Sequence, residues 1–294
     1  MLTFIQVLVS GIATGCVYGL VALSFVLIYK ATETISFMQG ELLMLGAFTV
    51  LALNVGLGWP IAVAAMAGVA AMVALGAGLE RSVLRRAIGQ PHLTAVLLTF
   101  GLGMAIRGAV TTVPAASQSM HRLDLPFAGQ WLQLGSIRIA LEHLAVIAAT
   151  ALLALALSLF FRHTRAGLAL RACSENAGVA ALMGVSVAGM HTLAWAIGAG
   201  LAAVAGLLLA PITFVHINMG LIALKAFPAA VLGGMTSLPG ALLAGVFLGV
   251  AEALAGLLLP EGSKDVTPYV LLMVALLLFP QGFGGRRGRT GGGR

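Results

Sequence analysis

Charge is scarce in this chain. Its 294 residues include sixteen Lys/Arg and nine Asp/Glu, and most of these sit in short clusters between long apolar runs. A water-soluble protein of this length could not cover so much apolar surface. Cysteine is scarcer still. Cys16 lies inside the first apolar run and Cys173 in a basic loop, so a disulfide between them is not expected. Neither stands in a CxxC or His-rich setting that would point to a metal. The six histidines fall in no metal-ligand spacing, and GxSxG, HExxH and GxxxxGK[ST] are absent. These absences argue against an enzyme, and no cofactor is expected.

What remains is apolar: 60% of the residues are hydrophobic. Runs near 20 residues match the length a helix needs to cross about 30 Å of hydrocarbon. The predicted spans are about 4–28, 41–57, 60–79, 92–114, 139–161, 186–212, 221–236, 239–259 and 267–283. The expected fold is all-α, a polytopic membrane protein of eight or nine transmembrane helices. The seventh run is short and contains Lys225, Pro228 and Gly233-Gly234, which marks it as broken or re-entrant. Residues 1–283 form one membrane domain, and 284–294 read as a disordered basic cytoplasmic tail. The start of the chain lacks the basic region of a signal peptide, so the first run reads as a retained span.

The net charge of +7 does not point to nucleic acid, because the basic residues are split among separate loops. They set orientation instead. Lys30, the loops at 81–86 and 162–171, and the tail carry eleven Lys/Arg; the opposite loops carry Arg122, Arg138 and Lys264. Positive-inside bias then puts the N-terminus outside and the C-terminus in the cytoplasm. A membrane protein without a phosphate-cradling loop that moves solutes runs on an ion gradient or borrows an ATPase.

Small residues recur every four positions at Gly11/Gly15/Gly19, Ala194/Gly198/Ala202/Gly206/Ala210 and Ala241/Gly245/Gly249/Ala253. Close helix packing is the first reading of these stripes, and lining a narrow path the second. Arg107, Lys225 and Glu252 are charges inside spans, where partners or a wet cavity are required. Glu252 can pair with Lys225 or with Arg107, either as a structural ion pair or as part of a polar vestibule for a zwitterion. Glu41 suits the N-terminus of its helix. Two stretches, 34–41 with Gln39 and Glu41 and 224–234 with Lys225, Phe227, Gly233 and Gly234, interrupt apolar runs as transport paths do. In the loop 162–184, Ser174 is a candidate N-cap, Glu175 a first-turn acid and Gly184 a C-terminal stop. They predict a short helix near 175–183, either a connector or a docking element for another protein.

Tyr18-Gly19-Leu20-Val21-Ala22-Leu23 followed by Ile35 to Glu41, Arg171-Ala172-Cys173-Ser174-Glu175-Asn176 followed by Gly184-Val185, and Met219-Gly220, Leu224 to Phe227, Val231 to Gly234 and Pro239-Gly240-Ala241 together resemble the branched-chain amino acid ABC permease family, H-type subunit. The resemblance implies a subunit of an ATP-driven importer in the bacterial inner membrane. It implies partners: a second permease subunit, two ATP-binding subunits and a periplasmic substrate-binding protein, all set among membrane lipid. Arg171, Glu175, Asn176 and Gly184 would form the ATPase-coupling loop. Gln39, Glu41, Arg107, Lys225, Phe227, Gly233, Gly234 and Glu252 are candidates for the path or vestibule. Urea or short-amide permeases share much of the pattern, and a gradient-driven secondary transporter is the distant alternative. The topology predicts that single cysteines at Ser82 and Ser117 label from opposite membrane faces; labelling of both from one face would overturn the orientation.

Overall fold

The computed structural model describes residues 2–87, 90–113, 119–123, 125, 128–134, 137–260 and 262–278. The tail at 284–294 and Ser117 lie outside the described residues. Among the described residues, seven helices are long and apolar enough to cross a membrane. They are α1 (Leu2–Thr32), α2 (Gln39–Leu51, extended by a π turn at Ala52–Gly56), α3 (Ile61–Ser82), α4 (His92–Thr111), α5 (Leu141–His163), α8 (Val187–Thr213) and α10 (Leu238–Leu258). Shorter helices are α6 (Arg165–Glu175), α7 (Ala177–Leu182), α9 (Ile222–Leu232) and α11 (Ser263–Leu278). Two strands, β1 (Trp131–Leu134) and β2 (Ile137–Ala140), pair antiparallel with Trp131 opposite Ala140. This hairpin is an addition to the all-α class the sequence predicts.

The seventh run becomes a 3-10 turn, Ile217–Leu221, leading into α9, which contains Pro228. An eleven-residue helix is only about 16 Å long at 1.5 Å per residue. It is an apolar element shorter than a full span. Its position in the bundle is set by Gly233 and Gly234. Gly234 takes a left-handed φ of 85°, and Gly233 packs on the backbone of Gly240 and Ala241 so closely that a Cβ would collide with it. Ser237 then caps α10, its Oγ accepting from the Gly240 amide at 3.2 Å.

α1 and α8 form the buried centre, and α3, α4 and α5 lie at the periphery. The outer helices present large apolar side chains outward, Met66, Leu97, Leu152 and Leu277 among them. In hydrocarbon such surfaces carry no penalty, so the centre must be held by something other than apolar burial. It is held by backbone contact. Cβ atoms built at Gly245 and Gly249 would strike the Cα of Gly19 and of Gly15, and one at Gly15 would lie 2.7 Å from the Val246 Cα. Gly206 on α8 meets the Leu43 carbonyl on α2 just as closely. The four-residue stripes are therefore packing ridges.

Replacing Gly249 with Val forces α1 and α10 apart and is expected to cost more than the ~1–3 kcal/mol of ordinary overpacking, because only backbone could yield. Thermal unfolding in detergent should fall sharply. Gly78→Ala, at a site with open space around it, should leave the melting temperature unchanged.

Candidate translocation path and coupling face

The charges that the sequence marked in the spans fall into two groups. The first joins four helices. Glu252 on α10 is 2% exposed. The Tyr18 hydroxyl of α1 donates to its Oε2 at 2.6 Å, and the Lys225 ammonium of α9 reaches its Oε1 at 3.2 Å. Lys225 also binds Asp265 at the start of α11. Both Glu252 oxygens are engaged, so the group is a closed clamp. The sequence pointed to Lys225 and Glu252 but not to Tyr18 or Asp265. A buried tyrosine needs a partner for its O–H, but sequence alone could not locate one 234 residues away.

Arg107 belongs to the second group, not to the first. Its Nη2 donates to the Ile217 carbonyl at 2.9 Å and to Asn218 Oδ1 at 3.3 Å, and its Nη1 lies 3.8 Å from Glu41 Oε1. Glu41 stands in the first turn of α2, as expected. Gly220 covers its carboxyl, with room for no more than a tight Cβ at 3.1 Å from Oε1. Gly40 in turn faces the Gly220 carbonyl, where a side chain would collide. Phe227 packs on Phe25 and Phe37, with ring centroids 5.7 and 6.0 Å apart. The first interrupted stretch, at Phe37–Glu41, thus meets Ile217–Phe227, which lies mostly ahead of the second stretch and shares only its beginning. On the first stretch Ser36 Oγ, both amide atoms of Gln39 and Glu41 Oε2 are buried without a hydrogen-bond partner among the described residues. Unmet buried groups cost about 1–3 kcal/mol each.

Gly233 and Gly234 make the turn described above and have no part in this junction. They deliver Thr236 to Pro239 to one end of the bundle. There those residues line a cavity of about 670 Å³ together with Tyr29, Lys30, Arg171 and Glu175. α6 begins at Thr164, whose Oγ1 accepts from the Gly167 amide, and continues through Glu175. The cap of the following helix is Asn176, its Oδ1 accepting from the Val179 amide at 2.9 Å, so α7 starts at Ala177. Ser174 lies inside α6 instead, and its hydroxyl is turned back on the Arg171 carbonyl. Gly184, at φ 85°, ends α7: its amide bonds the Ala181 carbonyl and the Val185 amide the Ala180 carbonyl, a Schellman closure. Leu182 and Met183 are 88% and 81% exposed on this short element. Burial raises the Cys173 thiol on α6 above its ordinary value.

A third cluster went unread in the sequence. Glu80, 1% exposed, is gripped by Arg85 through two hydrogen bonds of 3.2 and 2.9 Å and by the Thr192 hydroxyl at 2.5 Å. It ties the end of α3 to the start of α8, beside the loop that holds α6 and α7.

The bundle, its polar junction and its exposed capped loop define the class: a multi-pass membrane permease. Residues 7–279 match the family described as branched-chain amino acid transport system, permease component. The chain is 33% identical to the high-affinity branched-chain amino acid transport system permease protein LivH of Escherichia coli over 97% of this chain and 96% of the relative. It is equally similar, at 33% over 96% of both chains, to BraD of Pseudomonas aeruginosa. The fold is shared with PsaBC of Streptococcus pneumoniae, solved with a Fab, at 17% identity, a TM-score of 0.50, and coverage of 94% of this chain and 91% of that one. The chain belongs to the branched-chain amino acid ABC transporter permease family.

Replacing Lys225 with Met leaves Glu252 buried without its cation, and breaking such a pair costs about 3–5 kcal/mol. The purified variant should unfold at clearly lower temperature. The double variant Lys225→Met/Glu252→Gln should recover much of the loss; no recovery would mean the clamp does not act as a unit.

Proposed function

We propose that this chain is the membrane-spanning subunit of an ATP-driven importer for branched-chain amino acids in the bacterial inner membrane. In this reading a second permease subunit completes the path, two ATP-binding subunits hydrolyse ATP, and a periplasmic binding protein delivers cargo. The observation that carries it is the meeting of the first interrupted stretch with Ile217–Phe227, where Glu41 lies beside Arg107 and Ser36, Gln39 and Glu41 of that stretch keep unpartnered buried atoms. A passing zwitterion meets a carboxylate, a guanidinium and the aromatic wall of Phe25, Phe37 and Phe227 there. The chain's family and its relatives' names support the cargo class.

The N-terminus is periplasmic and the C-terminus cytoplasmic. Support comes from the Lys/Arg bias and from the shared cavity of Lys30, Arg171 and Thr236, which groups basic elements at one end. The element at 217–234 descends from the outer end as a half-length helix, and its polar start faces the path. α7 is the ATPase contact: caps fix its two ends, and Leu182 and Met183 offer an apolar surface for a partner groove. Arg171 and Glu175 face the cavity behind it and orient the loop. Lys225 and Glu252 are structural charges beside the path.

Selection of cargo by the binding protein leaves the path with weak affinity. Calorimetry on the purified complex without its binding protein should detect no side-chain-selective binding at micromolar leucine; such binding would overturn the reading. Glu175→Lys should leave ATP hydrolysis running while uptake falls. Unchanged coupled uptake at normal protein level would remove the coupling assignment.

A further inference from the structure

At the end of the bundle opposite the coupling loop lies a cavity of about 590 Å³ that neither the path nor the coupling face uses. Its walls come from the start of α1, the β hairpin, the start of α5, the end of α10 and the start of α11. Arg138, His143 and Lys264 line it, and none of the described residues lining it is acidic. Neither basic side chain has an ion-pair partner among the described residues. Asp265, next to Lys264, is taken by Lys225. Glu142, next to His143, does not line the cavity.

The placement of these cations is telling. Positive-inside bias leaves three basic residues in the loops of this end, Arg122, Arg138 and Lys264. Two of those three converge on one cavity. Gln6 helps to fix Arg138, its amide donating to the Arg138 carbonyl at 2.9 Å and pinning β2 to α1. Lys264 lays its stem against Gly256, whose missing side chain opens the space. Beneath the polar mouth the walls turn apolar, with Val7, Val9 and Leu257. Two of the apolar lining residues are exposed, Trp131 at 63% and Leu257 at 41%. Tryptophan at such a level marks the membrane interface.

Cations set among apolar walls, with an exposed tryptophan beside them, match one ligand chemistry. The ligand has an anionic phosphodiester head and acyl chains. We propose that this cavity holds the headgroup of an anionic phospholipid, with Arg138 and Lys264 on the phosphate, His143 hydrogen-bonded beside them, and the chains running down α1 and α10. Three of the helices it touches, α1, α10 and α11, also carry Tyr18, Glu252 and Asp265 of the clamp, so an occupied cavity stiffens that clamp from outside. The proposal does not depend on the cargo of the path.

The test uses the full chain in its purified complex, in neutral detergent, with phosphatidylglycerol, phosphatidylcholine or inorganic phosphate added separately. Phosphatidylglycerol is expected to raise the melting temperature and to be retained in native mass spectrometry, while phosphatidylcholine and phosphate do neither. Removing a headgroup cation weakens retention about fivefold per charge. Arg138→Gln and Lys264→Gln should each show that loss, and the double variant roughly its square. The single variants keep the result readable if the double variant does not fold. Equal stabilisation by inorganic phosphate would assign the site to a soluble anion and overturn the lipid proposal. Equal retention of both phospholipids, or undiminished retention of phosphatidylglycerol in the single variants, would overturn it as well.

Discussion

Everything in this bundle depends on how closely α1 and α10 approach. Lipid tails are as apolar as leucine, so hiding apolar side chains gains little there, and helix association relies on close van der Waals contact. Glycine facing glycine removes both side chains from the seam: Gly15 and Gly19 meet Gly245 and Gly249 main chain to main chain. That separation decides whether the Tyr18 hydroxyl reaches Glu252 at 2.6 Å. It also brings α9 near enough for Lys225 to complete the ion pair. The seam gives the charges their partners, and the charges keep the seam in register.

Polar groups in the bundle are of two kinds, those with every atom engaged and those with atoms left idle. Glu252 and Glu80 have both carboxylate oxygens engaged. Such clusters resist motion, because breaking one strands a buried charge. Ser36, Gln39 and Glu41 retain idle atoms where two irregular segments abut. Irregular backbone at membrane depth is tolerated where it is buried in protein or lines a wet cavity. The lone 3.8 Å contact between Glu41 and Arg107 fits a place whose partners exchange.

Much of this was legible in the sequence for a simple reason. Span length is fixed by bilayer thickness, so the apolar runs near 4–28, 139–161 and 186–212 became α1, α5 and α8 with ends shifted by a few residues. Pro228 and the glycine pair after it marked the short element α9. The glycine stripes announced packing, though not which stripe faced which. The hairpin at 131–140 went unread because its strands are only four residues long. The cap of α7 moved from Ser174 to Asn176 because both residue types cap helices, and α6 runs on far enough to absorb the serine. Arg85 counted only as a basic loop residue, and nothing in the sequence singled out Glu80. Only the approach of Thr192 from α8 makes them a lock. Side-chain partners more than a hundred residues apart are decided by topology, which one sequence does not display.

A helix as short as α7 would not persist in water as an isolated segment. Here its shape is written into its own two ends, the Asn176 side chain and the Gly184 closure, while its outer face stays bare. Formation of the element is thereby uncoupled from whatever it touches. If α7 is the coupling element proposed above, a partner meets a finished peg rather than a strand that must coil on arrival, so no folding step delays capture and no melting accompanies release. An assembly that cycles many times can then engage and let go of the same small surface without wearing its shape.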